Sequence, residues 1–197
     1  AAGYAPTRSG NRYKTARNDA QSTLGEVPML PSDYKPLTAE VMQKIKPLTD
    51  SPDCTDPDQL AARRYLLDQG ISLATAITAR TGCLRHYCIT KDSENKSEQA
   101  SNVFPCIAYV NYVDGHPVNA KYRSCSPSPS ARQEEGKPTV YSKFWGQDSP
   151  TTPCAPYNID CLNPLLVEEE TIPRVIVVEG EKDTLVLAEA GYRYVIS

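Results

Sequence analysis

The stretch 174–197 constrains the fold more than any other part of the chain. Arg174–Val178 is an apolar run rich in β-branched residues, which is typical of a buried parallel strand. Glu179-Gly180 follows as a turn, and Glu181–Ala190 is predicted to be a helix that Gly191 ends. Tyr194–Ile196 then begins a second strand. Strand, helix and strand in this order predict a βαβ unit, which is the start of a parallel α/β sheet.

Helical patterns precede this unit. A short helix is predicted over Thr38–Lys46. Asp56 or Thr55 can cap a second helix, which begins at Pro57 and ends at Gly70. Ser72 can cap a third helix, Leu73–Arg80, which Gly82 would end.

Strand-like alternation follows these helices and predicts an antiparallel sheet. Asp114-Gly115 is a strong hairpin signal between two of the strands. Gly146–Pro156 is rich in turn residues, and Ala155–Leu162 begins a compact segment. The predicted strands are Cys83–Thr90, Val103–Val113, His116–Arg123 and Thr139–Trp145.

The order of these patterns predicts an α+β fold, with amino-terminal helices and an antiparallel sheet followed by the start of an α/β unit. We expect a linker or flexible arm over 1–36, a basic subdomain over 37–170 and the incomplete α/β subdomain over 171–197. The arm carries cations and tyrosines but no acid before Asn18, so it is either a tether or a segment that touches nucleic acid.

Composition excludes several classes of protein. The net charge of −3 argues against a chain that coats nucleic acid by bulk charge. No apolar run approaches the roughly 18 residues that span a bilayer, and no signal segment opens the chain, so no membrane partner is expected. The seven cysteines include no C-x-x-C pair, which favours reduced thiols and a cytoplasmic location. Cys83, His86 and Cys88 lack a fourth ligand, and no zinc is predicted.

The carboxyl end of a parallel strand is where α/β folds place their chemistry, and Glu179 lies there. Its carboxylate can ligate Mg²⁺ or move a proton in phosphoryl transfer, although such a residue is as readily structural. Asp183 is either a second ligand or an acid that the helix dipole favours. Lys121 and Arg123 share one strand face. With Lys143, they are either phosphate clamps or exposed cations without a ligand.

The string Val-Ile-Val-Val-Glu-Gly-Glu-Lys-Asp within 175–192 closely resembles the first motif of the Toprim domain, in the version found in DNA primases and primase–helicases. By this resemblance the α/β unit is the start of a Rossmann-like Toprim subdomain. Glu179 is then the catalytic and metal-binding Toprim glutamate, Gly180 its companion and Asp183 the acidic residue of the primase form. The resemblance implies Mg²⁺ or Mn²⁺ as the cofactor.

Upstream segments are similar to the same family. Tyr65–Ser72 resembles the helix junction that opens the primase core, with Gln69 where arginine is usual. Lys121–Arg123 and Ser142–Phe144 resemble the basic strands that hold the nucleotide's phosphates and the template, and Pro156–Leu162 resembles the segment between the two halves. The long connection between the two basic strands departs from the pattern, as does the lack of a preceding zinc ribbon.

The resemblance implies a DNA primase that makes RNA primers on single-stranded DNA from nucleoside triphosphates, and a parent replication protein from a phage or mobile element. A replicative helicase, fused or separate, is a further implied partner. The Asp-x-Asp motif that completes the metal site would lie on a later strand, so we expect this chain to be an inactive fragment. Two alternatives stay open: another Toprim enzyme, such as a nuclease or topoisomerase, and a non-catalytic module that binds single-stranded nucleic acid.

Overall fold

A computed structural model describes residues 34–87, 103–127, 135–137, 139, 141, 145–148, 155–163, 172 and 174–197. It shows an α+β fold, as predicted. The helices are α1 (Ala39–Lys44), α2 (Pro57–Asp68), α3 (Leu73–Thr78) and α4 (Glu181–Glu189), with a 3-10 turn at Ile159–Leu162. The strands are β1 (Lys46–Pro47), β2 (Gly82–Tyr87), β3 (Val103–Val113), β4 (His116–Ser124), β5 (Trp145–Asp148), β6 (Ile176–Val177) and β7 (Val195–Ile196). In these ranges no helix is long and apolar enough to cross a membrane.

Side-chain caps begin the first three helices, and those of α2 and α3 are the ones that the sequence predicts. Asp56 accepts hydrogen bonds from two backbone N–H groups of the first turn of α2, and Pro57 occupies its first position. Thr38 caps α1 and Ser72 caps α3 in the same way. Gly70 follows α2 with a φ of +71°, a conformation that glycine adopts without strain. The predicted helix starts are therefore confirmed.

The predicted role of Gly82 is wrong. The third helix ends at Thr78, and Arg80 takes the left-handed conformation (φ 54°) that turns the chain. Gly82 is instead the first residue of β2, where it lies against β1. A Cβ atom at Gly82 would lie 2.5 Å from Cγ2 of Ile45 and 2.9 Å from the carbonyl oxygen of Lys46. Glycine is required at position 82 because two strands pack closely there, and not because a helix ends there.

The first five strands form an antiparallel sheet in the order β1-β2-β3-β4-β5. Asp114 and Gly115 have φ values of 51° and 81°, as the predicted tight hairpin between β3 and β4 requires. The last strand departs from the prediction, because β5 covers Trp145–Asp148, where a turn was expected. Ladder pairing with Ala120–Arg123 of β4 outweighs the local turn signal. Most of the predicted strand Thr139–Trp145 lies outside the described residues.

Both faces of this sheet are buried, each by different helices. One face packs on α2 and α3, and the other packs on α1 and the residues that flank it. Residues two apart on a strand share a face, so β3 sends Ile107 and Tyr109 to the first cluster and Cys106 and Ala108 to the second. The α4 residue Leu185, which is fully buried, belongs to the first cluster. The βαβ unit therefore shares a core with the sheet.

The sheet curls strongly around its α1 face. His86 of β2 contacts the ring of Tyr122 of β4, with centroids 4.7 Å apart. A Cβ atom at Gly146 of β5 would lie 2.5 Å from Nε2 of His86, although two strands separate β2 from β5. Small side chains on this face, such as Cys106 and Ala108, leave room for the curl. Gly146 thus has a packing role that its turn-rich surroundings do not indicate.

The βαβ unit forms as predicted, with β6 and β7 pairing in parallel through α4. Gly191 follows α4 with a φ of +96°. The expected buried first strand is wrong in one respect, since the side chain of Val177 is 71% exposed and Val175 is 41% exposed. Within the described ranges, β6 pairs on one edge with β7, and no element covers its outer side. The apolar pattern alone therefore overstated the burial of this strand.

Residues 155–163, which we call the connecting segment, join the sheet to the βαβ unit. Tyr157 is 1% exposed, and its ring meets that of Tyr109 edge-on with centroids 5.7 Å apart. Its hydroxyl shares a 3.1 Å hydrogen bond with the Thr81 hydroxyl. Its backbone N–H donates to the Ser197 carbonyl at 2.7 Å, and the Ser197 N–H donates back at 3.3 Å. Tyr157 therefore contacts both parts of the fold.

We call the contacts of Tyr157 with the antiparallel sheet and with the βαβ unit the joint, and replacing Tyr157 tests it. Tyr157→Phe leaves the Thr81 hydroxyl buried without its partner and should lower the free energy of unfolding by about 1 kcal/mol. Tyr157→Ala also removes a fully buried ring, so the loss should reach about 3–5 kcal/mol. Urea denaturation followed by circular dichroism measures both. The control Tyr192→Ala, at a side chain 49% exposed, should stay within about 0.5 kcal/mol of the wild type. Equal effects at the two tyrosines would contradict the joint.

His86 makes stability depend on pH. Burial lowers the pKa of His86 below its ordinary 6.5 and the Lys44 charge adds to this, while the Asp148 charge opposes it. The unfolded chain then binds the proton more readily, so stability should fall as the pH falls below about 6.5. Urea titrations from about pH 8 to about pH 5 should show a shallower fall for His86→Gln than for the wild type. The same slope in both proteins would refute this assignment.

Candidate functional site

Glu179 lies at the carboxyl end of β6, between the strand and α4. The strand ladder ends just before it, where the Val178 N–H donates to the Ile196 carbonyl at 2.9 Å. Glu179 itself is exposed. Its carboxylate is thus placed at the edge of the parallel pair, in reach of solvent and of any ligand that approaches the start of α4. A strand end followed by a helix start is the usual position of chemistry in α/β folds.

Among the described residues, no side chain caps the backbone N–H groups at the start of α4. Gly180 is its N-cap residue and has no side chain to accept from the first N–H groups. The first hydrogen bond of the helix runs from the Thr184 N–H to the Gly180 carbonyl at 3.1 Å. Uncapped N–H groups at a helix start favour an anion such as a phosphate. Glu181 and Asp183 in the first turn also interact favourably with this end of the helix dipole.

The turn does not require glycine at position 180, contrary to the sequence interpretation. Gly180 has a φ of −131° and a ψ of 152°, which is extended backbone that any residue adopts. A Cβ atom there would meet Oδ2 of Asp183 at 3.6 Å, an ordinary contact. Neither conformation nor packing within the described chain explains the glycine. Close approach of a ligand to the backbone would explain it.

Lys121 lies against this helix start. Its ammonium group forms an ion pair with the Glu181 carboxylate, and both side chains are partly shielded, at 40% and 16% exposure. The contact joins β4 of the antiparallel sheet to the residue two positions after Glu179. The structure therefore brings Lys121 into the neighbourhood of the predicted carboxylates. The sequence did not indicate Glu181 as its partner, because 60 positions separate the two residues.

Arg123 is exposed and lies on the same face of β4 as Lys121. The Arg123 charge affects the pKa of the buried phenol of Tyr65. Burial raises the pKa of Tyr65, the Arg123 charge acts to lower it, and the Asp183 charge acts to raise it further. Both charges therefore act on the pKa of the same phenol. Lys121 and Arg123 lie on one face of β4, and the Lys121–Glu181 ion pair joins that face to the first turn of α4, which also carries Asp183. This is the region between β4 and α4.

Two buried hydroxyl groups lie beside this region. The Tyr65 hydroxyl lies close to that of Tyr109, which acts to lower the Tyr65 pKa. Each hydroxyl has the other as its neighbour, and the described residues offer neither oxygen a further hydrogen-bond partner. Tyr109 is directly opposite Lys121 in the β3–β4 ladder, so the two side chains share a face. Sequence reasoning missed both phenols, since a buried tyrosine in a helix or strand is most often a core residue.

Lys143 and Asp183 are the remaining predicted site residues. Lys143 lies outside the described residues. The side chain of Asp183 is 54% exposed and lies 3.9 Å from the Lys182 ammonium. The roles assigned to Glu179, Gly180, Asp183, Lys121 and Arg123 stay predictions.

A magnesium ion suits the oxygen donors of this region. Mg²⁺ is usually held by one or two protein carboxylates, with water and substrate phosphates completing its shell. Glu179 and Asp183 are two such carboxylates at the same helix start. In the described part of the chain, no three His, Cys, Asp or Glu side chains converge in a group that could hold a metal. The donors fit a shared protein–phosphate site better than a cage made of protein alone.

The cysteine and histidine cluster divides between the two faces of β2. Cys83 is fully buried against α2, and burial raises its pKa to about 12. His86 lies on the opposite face, against Tyr122, as the alternation of side chains along a strand requires. Cys88 lies outside the described residues. Cys83 is therefore a core thiol rather than a ligand or nucleophile.

The far end of α4 is also held. The Glu189 carboxylate accepts a 2.9 Å hydrogen bond from the Ser72 N–H at the start of α3. Burial acts to raise the pKa of Glu189, but hydrogen bonds from Thr75 and Ser72 outweigh it and lower the pKa. A charged carboxylate at a helix start is favourable. The Gly-Ile-Ser junction of the sequence thus meets the βαβ unit directly.

Gly180→Ala separates a ligand-contact role from a structural one. The added methyl group meets only ordinary contacts, so the free energy of unfolding should change by less than about 1 kcal/mol. It should nevertheless weaken binding of inorganic tripolyphosphate, measured by calorimetry, because it occupies the approach to the helix start. By contrast, Gly82→Ala should destabilise the fold by about 1–3 kcal/mol through its clash with Ile45. If Gly180→Ala binds tripolyphosphate as tightly as the wild type does, a phosphate does not approach the backbone at Gly180.

Comparisons with protein-family models, curated proteins and solved structures found no match for this chain. The resemblance to Toprim primases therefore depends on the motifs quoted above. The function inferred next depends on those motifs and on the geometry between β4 and α4.

Proposed function

We propose that this chain carries part of the core of a DNA primase, which synthesises short RNA primers on single-stranded DNA by metal-dependent nucleotidyl transfer. The observation that carries the proposal is the contact of Lys121 with the first turn of α4, two residues after Glu179. A basic strand and a carboxylate-bearing strand end thereby border one region. Phosphoryl transfer needs both kinds of group, since cations hold the phosphates and carboxylates hold the metal.

Each side chain has a stated part in this reaction. Primer synthesis joins two nucleotides when a 3′-hydroxyl attacks an α-phosphate and pyrophosphate leaves. Glu179 and Asp183 hold Mg²⁺ or Mn²⁺, which offsets the charge that develops on the phosphate oxygens. Lys121 and Arg123, with the N–H groups at the start of α4, hold the triphosphate. In this proposal the βαβ unit is the start of a Toprim subdomain.

The substrates follow from the same chemistry. Ribonucleoside triphosphates supply the phosphates, and a single-stranded DNA template pairs with their bases. Arg123 is exposed beside Lys121 and is available to a template phosphate. Because the net charge is −3, attraction of nucleic acid depends on such local cations rather than on the charge of the whole chain. A replicative helicase, fused or separate, is the proposed protein partner.

Glu179→Gln tests the proposal most directly. In the protein as its gene encodes it, the change should lower the rate of primer synthesis by about 100-fold or more, because a metal-holding carboxylate is lost. The assay follows incorporation of ribonucleotides on single-stranded DNA with Mg²⁺. The matched control is Glu40→Gln in α1, where the carboxylate is 79% exposed and pairs with Lys44, and it should keep the wild-type rate.

Metal binding gives a second readout on the 197-residue chain itself. Mn²⁺ should broaden the amide signals of residues 179–183 in nuclear magnetic resonance spectra, and Glu179→Gln should remove the effect while Glu40→Gln should not. Cleavage of DNA without nucleotides would instead support a Toprim nuclease. Salt-dependent binding of single-stranded DNA with neither chemistry would support a non-catalytic module. Either result would overturn the primase proposal.

A further inference from the structure

We infer that Glu181 is an internal substitute for a phosphate group: it holds the Lys121 ammonium at the start of α4 and releases it to the ligand. This inference rests on the proposed function, because it describes how the same site takes up a triphosphate. Glu181 is then a positioning residue that acts through Lys121. The structural basis is the ion pair between β4 and the first turn of α4.

The ion pair has the properties that such an exchange needs. Lys121 has a flexible four-carbon stem, so without a partner its ammonium would sample many positions. Glu181 restricts it to the helix start, where the uncapped N–H groups of α4 also face an incoming anion. The Lys121 side chain is 40% exposed and the Glu181 side chain is 16% exposed, so water still reaches the ion pair. Opening it therefore costs far less than opening a fully buried pair would.

A phosphate is the better partner for both groups. It brings more negative charge than a carboxylate and three acceptor oxygens, so it can satisfy Lys121 and the helix N–H groups together. Glu181 has one carboxylate for the same donors. Binding of a polyphosphate thus replaces one favourable contact of Lys121 with several. The affinity that is measured is the difference between the two arrangements, so Glu181 competes with the ligand.

An independent observation also points to a ligand or ordered solvent at this place. The buried hydroxyls of Tyr65 and Tyr109 lie beside each other, and neither has a further hydrogen-bond partner among the described residues. Tyr109 stands opposite Lys121 in the ladder, and the Tyr65 phenol lies within reach of the charges of Arg123 and Asp183. Buried hydroxyls are nearly always hydrogen-bonded in native proteins. Two hydroxyls that have only each other among the described residues keep hydrogen-bonding capacity for an oxygen atom of a ligand or of water.

The competition predicts a gain of affinity from removing a charge. Inorganic tripolyphosphate is titrated into the 197-residue chain by calorimetry in the presence of a chelator, so that no metal takes part. Glu181→Gln should bind about 3- to 5-fold more tightly than the wild type, which corresponds to the strength of a partly exposed ion pair. Lys121→Met should bind more weakly. Circular dichroism melting curves confirm that each variant is folded.

The double variant separates competition from a general change of charge. If Glu181 acts through Lys121, Glu181→Gln should give no gain in the Lys121→Met background. Asp183→Asn, which removes the same charge from the same turn without touching Lys121, should give a smaller gain than Glu181→Gln. An equal gain in both backgrounds, a loss of affinity in Glu181→Gln, or no tripolyphosphate binding by any variant would overturn the inference.

These outcomes are distinct from those of the primase test. If Glu181→Gln gains tripolyphosphate affinity only when Lys121 is present, but no primer is made, the exchange of Lys121 between Glu181 and phosphate is supported and the primase proposal is refuted. Primer synthesis that depends on Glu179, combined with an equal gain in both backgrounds, would keep the enzyme and remove the exchange. Calorimetry of the metal-free chain and the primer assay therefore test the two ideas separately.

Discussion

Tyr157 lies between the antiparallel sheet and the βαβ unit, with its ring on Tyr109, its hydroxyl on Thr81 and its backbone paired with Ser197. Tyr109 lies in β3, Thr81 directly precedes β2 and Ser197 directly follows β7. A fully buried aromatic ring holds its neighbours at set distances because protein interiors are close-packed. The position of α4 relative to β4, and with it the whole candidate site, depends on this joint.

The connecting segment strengthens the joint with polar contacts. The Asn111 amide donates to the Ala155 carbonyl at 2.5 Å, and the Asn158 amide donates to the Val195 carbonyl at 2.9 Å. Asp160 accepts from the Gly115 N–H at 3.0 Å. The segment therefore bonds to β3, β7 and the hairpin turn at once. The Asn111 bond is buried and the Asn158 bond is partly buried, so both are costly to break, whereas the Asp160 bond is exposed.

α4 is then held along its length by three kinds of interaction. Leu185 packs into the core that the sheet and α2 share. Glu181 meets Lys121 at the start of the helix, and Glu189 meets the Ser72 N–H at its end. The ionic contacts are weak by themselves, since partly exposed charges are screened by water. They set the orientation of a helix that apolar packing has already placed, and they put acidic and basic groups of the site on facing elements.

Local chemistry made much of the fold predictable. Asp56 and Ser72 cap helices, Asp114-Gly115 turns a hairpin, and the apolar strand before Glu179 leads into a parallel βαβ unit. Each depends on residues close in sequence, so the sequence by itself determined them. Contacts between distant parts of the chain decided the role of Gly82, the exposure of Val177 and the pairing of β5.

The candidate site divides in the same way. The residue types near Glu179 could be read from the sequence as a site for metal and phosphate. The partner of Lys121 and the neighbouring buried phenols of Tyr65 and Tyr109 came only with the tertiary structure, because no spacing rule reaches across the 60 positions between Lys121 and Glu181.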